Sequence, residues 1–190
     1  MDAVILAAGR SARMGCQKLL MPLGNDTLLG RICGTVLESG FDNVLAVVSQ
    51  ETKNRLSACR EVRYVVNPDP DRGQGSSLRC ALADLNEYSS FAIFLGDKPA
   101  ITVPQILELR RRFEVSSRSA LVPFRDGVPG HPSFYDSVWR GRFLDSDEDG
   151  REVLLRHPDE IERTAGHESC FFDVDTAADY LRLLTFYESK

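Results

Sequence analysis

The sequence predicts an α/β domain built as three layers, with helices on both faces of a mostly parallel central sheet. Continuous apolar runs at residues 4–8, 44–48, 64–66 and 91–95 have the pattern of strands covered on both faces. Helix-like segments separate the first three runs, and strand, helix, strand, helix, strand implies right-handed parallel crossovers. With 190 residues, 43% of them hydrophobic, the chain suits a single domain with a core that needs no covalent staples.

The first apolar run breaks into Gly9-Arg10-Ser11-Ala12-Arg13-Met14-Gly15 and reaches Lys18. A buried strand ending in small residues, a glycine and three cations is suited to hold a polyanion against backbone amides. It is not a Walker loop, because Lys18 follows Gln17 and precedes Leu19, leaving no hydroxyl beside the lysine. It is not a dinucleotide fingerprint either, because Gly9 and Gly15 are too far apart.

Turn formers at 22–26 follow, and Thr27 caps a helix whose stripe is Leu28, Leu29, Ile32, Cys33, Val36 and Leu37, ended by Gly40. After the second strand a short polar helix is expected over 51–59, then the third strand. The turn-rich stretch 67–75 leads into Ser76-Ser77-Leu78-Arg79, which opens a helix with Leu78, Ala81, Leu82 and Leu85 inward. The serine pair can cap that helix; alternatively, Gly75 lets a flat base approach while Ser76 or Ser77 reads its edge.

The strand 91–95 closes in Gly96-Asp97-Lys98-Pro99. Ligands of open parallel sheets bind outside the carboxyl ends of the strands, which makes Asp97 the first choice for a magnesium ligand. Thr102, just ahead of Val103-Pro104, is the better cap for the next helix, 103–113. Arg110, Arg111 and Arg112 on that helix point in different directions and read as a solvated surface. A strand at 120–123 precedes 124–132, which has the composition of a mobile, glycine-hinged loop between two strands. Trp139 belongs to a short helix at 137–143 and to the packing beneath it. The acidic run 145–150 lacks the ligand order of a calcium loop. A last strand, 169–172, leads to Asp173 and Asp175, of which at most one is expected to reach a metal. Thr176 and Asp179 form a capping pair for the final helix.

The net charge of -5 and pI near 5.3 exclude a nucleic-acid surface, so an anionic substrate has to meet local cations and a metal. Cys16, Cys33, Cys59, Cys80 and Cys170 show neither paired nor zinc-ligand spacing and read as reduced structural thiols. No charged leader and no apolar run of membrane-spanning length is seen, so a cytoplasmic protein without membrane contact is expected.

Leu6, Ala7, Ala8, Gly9, Ser11, Arg13, Met14, Gly15 and Lys18 fill every fixed position of the pattern LAAGxSxRMGxxK. This resembles the signature of small nucleotidyltransferases, in particular the molybdenum cofactor cytidylyltransferase branch of the MobA-like family. Residues 75–79, 95–99, 130–132 and 173–180 are similar to further family elements in the right order. The resemblance implies a Rossmann-like nucleotidyltransferase fold, with a nucleotide-binding part over about 1–100 and an acceptor-binding part over about 101–190. It implies transfer of CMP from CTP to the phosphate of molybdopterin, with magnesium held by Asp97 and Asp175. Lys18, Arg13 and Asp97 would be catalytic. Leu6, Ala7, Ala8, Gly9, Arg10, Ser11, Gly75, Ser76 and Ser77 would bind the nucleotide, and Lys98, Gly130 and His131 the acceptor. A molybdoenzyme-maturation chaperone would be a further partner. Alanine at position 8 resembles the cytidylyl enzymes, where guanylyl ones carry glycine.

Two positions depart from the family: Lys98, where Gln or Met is expected, and Arg151, where alanine is expected. They leave a sugar or alditol phosphate open as acceptor. A non-catalytic nucleotide-binding chaperone is the other alternative. No Ser-His-Asp or Cys-His arrangement is evident, and none is needed. A phosphate acceptor, with a second pKa of about 6, is already ionised at neutral pH, so catalysis requires alignment and charge neutralisation.

Overall fold

The computed structural model describes residues 1–9, 14–57, 59–146 and 150–188. Strand β1 (Asp2–Ala7) lies at the centre of the main sheet. It pairs in parallel with β4 (Val44–Val48) on one side and β6 (Phe91–Leu95) on the other. Its side chains alternate as a two-faced strand requires. Ala3, Ile5 and Ala7 enter the core formed with α1 (Leu28–Glu38) and α4 (Val103–Val115), whereas Val4 and Ala8 pack toward α3 (Gly73–Asp84). Helices on both faces give the three layers the apolar runs imply.

The strand order is β10-β7-β9-β6-β1-β4-β5, with β5 at Val62–Val66, β7 at Ala120–Arg125, β9 at Ser133–Tyr135 and β10 at Ile161–Ala165. β9 runs antiparallel to both β6 and β7, so the sheet is mostly parallel. The chain travels outward from β1 to β4 and β5, then crosses back through α3 to β6 on the far side of β1. That reversal makes a topological switch point, and the crevice outside it is where ligands bind in open α/β sheets.

Several expected boundaries move. Helix α2 spans only Gln50–Arg55, capped by Ser49 accepting from Thr52 N at 3.1 Å. Helix α3 opens at Gly73, so Ser76 and Ser77 sit within the helix and do not cap it. Residues 169–172 are not a strand: a 3-10 turn at Glu168–Cys170 occupies part of that stretch. The apolar Phe171 and Phe172 there pack against separate clusters instead of pairing in a sheet. The stretch expected as an irregular mobile loop holds a hairpin, in which β8 (Val128–Pro129) pairs with β7 around Asp126-Gly127. Both turn residues have positive φ, 51° and 77°, as a tight hairpin demands.

Strand β9 lies directly after the 124–132 stretch, where a second strand was expected, whereas edge strand β10 carries no continuous apolar run and was not expected. The same holds for the two-stranded hairpin β2 (Pro22–Leu23) with β3 (Asp26–Thr27). Other elements fall where the residues place them. Thr27 accepts from Gly30 N at 3.0 Å, and Thr102 forms a capping box with Gln105. Arg110 and Arg112 pair with Glu114 and Glu108 on the helix surface. Trp139, on α5 (Val138–Leu144), is wholly buried and donates to Ser119 Oγ at 2.9 Å. Among the described residues no helix is long and apolar enough to cross a membrane.

Candidate active site

The carboxyl ends of β1 and β6 stand side by side, and the close approach is continued past the strands. Gly96 N donates to Leu6 O at 2.9 Å, and a Cβ at Gly96 would lie 3.0 Å from that of Ala7. Glycine there keeps the two backbones in contact and delivers Asp97 directly beside the end of β1. From the opposite direction, Val174 N donates to Asp97 O at 3.0 Å, which brings the 173–175 segment onto the same edge.

Lys18 joins these pieces. Its Nζ lies 2.8 Å from Asp97 Oδ2 and 2.7 Å from Asp175 Oδ1, with the lysine side chain only 11% exposed. Burial pulls the ammonium pKa down, but the two carboxylates outweigh it and hold Lys18 above its ordinary value. Two carboxylate oxygens from distant parts of the chain therefore converge on one cationic centre. Hard oxygen donors in that arrangement suit a magnesium-type cation, which characteristically takes one or two protein carboxylates and leaves its other positions to water and phosphate.

Two adjoining clefts open on this edge. The smaller, about 300 Å³, is lined by Leu6, Ala7, Ala8, Gly9, Lys18 and Ser77, together with Gln74 from the start of α3. The larger, about 480 Å³, contains Gly75, Lys98, Gly130 and His131. Its lining mixes apolar side chains, Leu78, Ile93, Val122 and Phe143, with polar ones that include Gln74, Ser133 and Arg151. Asp97 and Asp175 belong to both clefts and form their common wall.

The residues expected to form the site divide as follows. Leu6, Ala7, Ala8, Gly9, Lys18 and Ser77 come together in the smaller cleft, while Gly75 lines the larger one. Ser76 lines neither cleft. Its hydroxyl is engaged with Gly73 O at 2.8 Å and Asp69 O at 3.2 Å, and accepts from Asn67 Nδ2 at 2.8 Å. Arg10, Ser11 and Arg13 lie outside the described residues.

At most one of Asp173 and Asp175 was expected to reach a metal, yet the fold brings both to one cleft. Both line the larger cleft, and Val174 between them is buried with Leu23 and Leu28. Positions i and i+2 of an extended segment share a face, so both carboxylates are offered together. Asp173 pairs with Lys98, whose Nζ lies 2.5 Å from its Oδ1. Burial raises the Asp173 carboxyl pKa, Asp97 and Asp175 add to the rise, and Lys98 opposes it. Lys98, expected to meet the acceptor, is thus held by a neighbouring carboxylate.

His131 Nδ1 lies 3.3 Å from Ile93 O and 3.4 Å from Ser133 Oγ. Burial, with the nearby Lys98 charge, pushes its pKa down to about 4, so the ring is neutral at pH 7. It can exchange hydrogen bonds there but supplies no positive charge.

Two participants escaped the sequence reading. Asn67 is buried and donates to both Ser76 and Ser77, at 2.8 and 3.0 Å, tying the end of β5 to the start of α3. Its position immediately after a strand was the available signal. Gln74 lines both clefts, and its place between Gly73 and Gly75 marked a close-approach segment without specifying which cavity it faces.

Two substrate clefts meeting at paired carboxylates and a lysine, on the carboxyl edge of a Rossmann-like sheet, form the layout of a group-transfer enzyme. The chain belongs to the MobA-like NTP transferase domain family, whose model matches residues 3–161, and the class is therefore nucleotidyltransferase. It is 27% identical over 141 residues to the molybdenum cofactor cytidylyltransferase of Escherichia coli, covering 69% of this chain and 67% of that protein. It is 31% identical over 136 residues to the molybdenum cofactor guanylyltransferase of Syntrophotalea carbinolica, covering 70% of this chain and 62% of the relative. The crystal structure of Rv0371c from Mycobacterium tuberculosis superposes with a TM-score of 0.83 at 27% identity, covering 97% of this chain and 96% of that one. Rv0371c in complex with manganese gives 0.78 at 25% identity, with 97% of each chain covered.

Proposed function

We propose that this protein is a magnesium-dependent cytidylyltransferase that moves CMP from CTP to the phosphate of molybdopterin carrying molybdenum. The observation that carries this reading is the common wall: Asp97 and Asp175 border both clefts, with Lys18 between them. A nucleoside triphosphate in the smaller cleft and a phosphorylated acceptor in the larger one would meet there.

The reaction is in-line attack by an acceptor phosphate oxygen on the α-phosphorus of CTP. A new P–O–P linkage forms as the bond to the β-phosphate oxygen breaks and pyrophosphate leaves. The acceptor is already ionised at neutral pH, so no side chain has to remove its proton. Asp97 and Asp175 would hold the magnesium ion, which when bound supplies charge neutralisation to the phosphates. The Lys18 ammonium, beside those carboxylates, neutralises the triphosphate, and Ala7, Ala8 and Gly9 form a low wall on the nucleotide side. Manganese bound to Rv0371c, and the likeness to a cytidylyltransferase of the molybdenum cofactor, support the metal and the acceptor respectively.

The test is pyrophosphate release with magnesium, each of the four nucleoside triphosphates, and either molybdenum cofactor or a panel of sugar and alditol phosphates. Release with CTP and molybdenum cofactor is expected. Turnover with a sugar phosphate alone would reassign the acceptor, and no release with any pair would remove the enzymatic reading.

A further inference from the structure

Three carboxylates, those of Asp97, Asp173 and Asp175, face the larger cleft, whereas the cation reading above uses two. One main-chain bond and one buried side chain fix this outcome. Val174 N bonds Asp97 O, and the Val174 side chain is buried, so the residues on either side of it turn to the cleft together. Two lysines then divide the pair. Lys18 takes Asp175 at 2.7 Å, and Lys98, its side chain 7% exposed, takes Asp173 at 2.5 Å. Lys98 is the residue that departs from the Gln or Met of the resembling family, and its partner is the carboxylate left over.

We propose that Lys98 is a positioning residue that withdraws Asp173 from the divalent-cation site, leaving Asp97 and Asp175 as its two protein carboxylates. The inference rests on the cation reading under Proposed function. Its physical basis is the coordination that magnesium prefers. A cation that must give several positions to substrate phosphates is served by one or two carboxylates, whereas each further one moves the site toward a protein cage that binds tighter and opens less to substrate. An unpaired Asp173 would be that further carboxylate. With Lys98 against it, its charge is spent locally.

The test is Mn²⁺ binding to the free protein at neutral pH, read from the electron paramagnetic resonance signal of unbound Mn²⁺. Lys98→Met releases Asp173, and Mn²⁺ should bind about tenfold tighter, as one added charge at short range allows. Asp173→Asn leaves Lys98 as an uncompensated cation, and binding should weaken several-fold. The double variant should return to within about twofold of the unsubstituted protein, a reversal that loss of packing would not produce.

Unchanged or weaker binding in Lys98→Met would overturn the inference, as would a double variant that keeps the tighter value. If Lys98→Met does not fold, Asp173→Asn, nearly isosteric, decides alone: unchanged or tighter binding overturns the proposal. Absence of Mn²⁺ binding by the unsubstituted protein would overturn the two-carboxylate cation site and this inference together. Normal binding without these opposite shifts would overturn the inference only.

Discussion

Lys18 and Asp175 are 157 positions apart in the chain and 2.7 Å apart in the fold. Asp97 lies on the other side of the same ammonium at 2.8 Å. The turn that opens at Lys18, the segment after β6 and the approach to the final helix (Ala177–Glu188) are thereby joined through one side chain. This is the point where the two clefts share a wall, and the predictions are organised around it.

Asp97→Asn keeps the size of the side chain and the main-chain carbonyl that accepts from Val174 N. It removes one of the two negative charges facing Lys18. Pyrophosphate release should fall by about 10²–10³ in kcat/KM, the usual effect of deleting one electrostatic contact at a transferring group. Thermal unfolding should stay close to that of the unsubstituted protein. Activity retained within about tenfold would take Asp97 out of the site.

Ala8 is buried against Val4 and Ala81 and lines the smaller cleft, where the proposed function puts the nucleotide. Ala8→Gly should narrow the preference for CTP over GTP by about tenfold, since one methyl group in a pocket discriminates by roughly 10–200-fold at most. Competition assays with both nucleotides measure the ratio directly. An unchanged ratio would place base selection elsewhere, with Gln74 the next residue to substitute.

His131 gives a pH prediction with a definite sign. Its folded pKa is depressed from 6.5 to about 4 by burial and by Lys98, while Asp97 and the Ile93 carbonyl oppose the shift. Between those values the unfolded chain binds more protons than the folded one. The stability linked to the neutral ring is therefore complete above about pH 6.5 and is lost as pH falls toward 4, on the order of 2–3 kcal/mol. Denaturant titrations at pH 7 and 4.5 should show this loss in the unsubstituted protein and a smaller one in His131→Asn. In assays at pH 7, His131→Ala should raise KM for the acceptor more than for the nucleotide; the reverse would reassign the 130–132 segment.

Gly130 lies where a side chain cannot fit. A Cβ there would come within 2.6 Å of the Phe171 ring and 3.0 Å of Cys170 O. The next residue is tied to the same carbonyl, since His131 N donates to Cys170 O at 3.0 Å. Gly130→Ala should therefore lower stability by about 1–3 kcal/mol, the usual cost of overpacking, and displace His131 with it. Calorimetry measures the first effect and acceptor KM the second. An unaltered melting midpoint would show that Phe171 yields without cost.

Sequence alone determined the layers and most of the parallel strands, because a strand buried on both faces must be written as a continuous apolar run. The same reading placed Ala8, Gly9 and Asp97 at the carboxyl edge of the sheet, because residues just beyond the carboxyl ends of such strands face the crevice outside it. Strand β10 was not legible. It reads Ile-Glu-Arg-Thr-Ala, with no uninterrupted apolar run, and its pairing with β7 is decided by neighbours far along the chain.

Tertiary structure alone decided how the charges are shared. Asp173 and Asp175 are near-identical in local sequence, and which of them pairs with Lys18 and which with Lys98 depends on where Val174 is buried and on which lysine reaches each oxygen. Ser76 and Ser77 are likewise adjacent and alike and both accept from Asn67, yet only Ser77 lines the smaller cleft, while Ser76 is held by Gly73 O and Asp69 O. Local residue chemistry specifies which groups are available; their partners are set by contacts between segments that only the folded chain brings together.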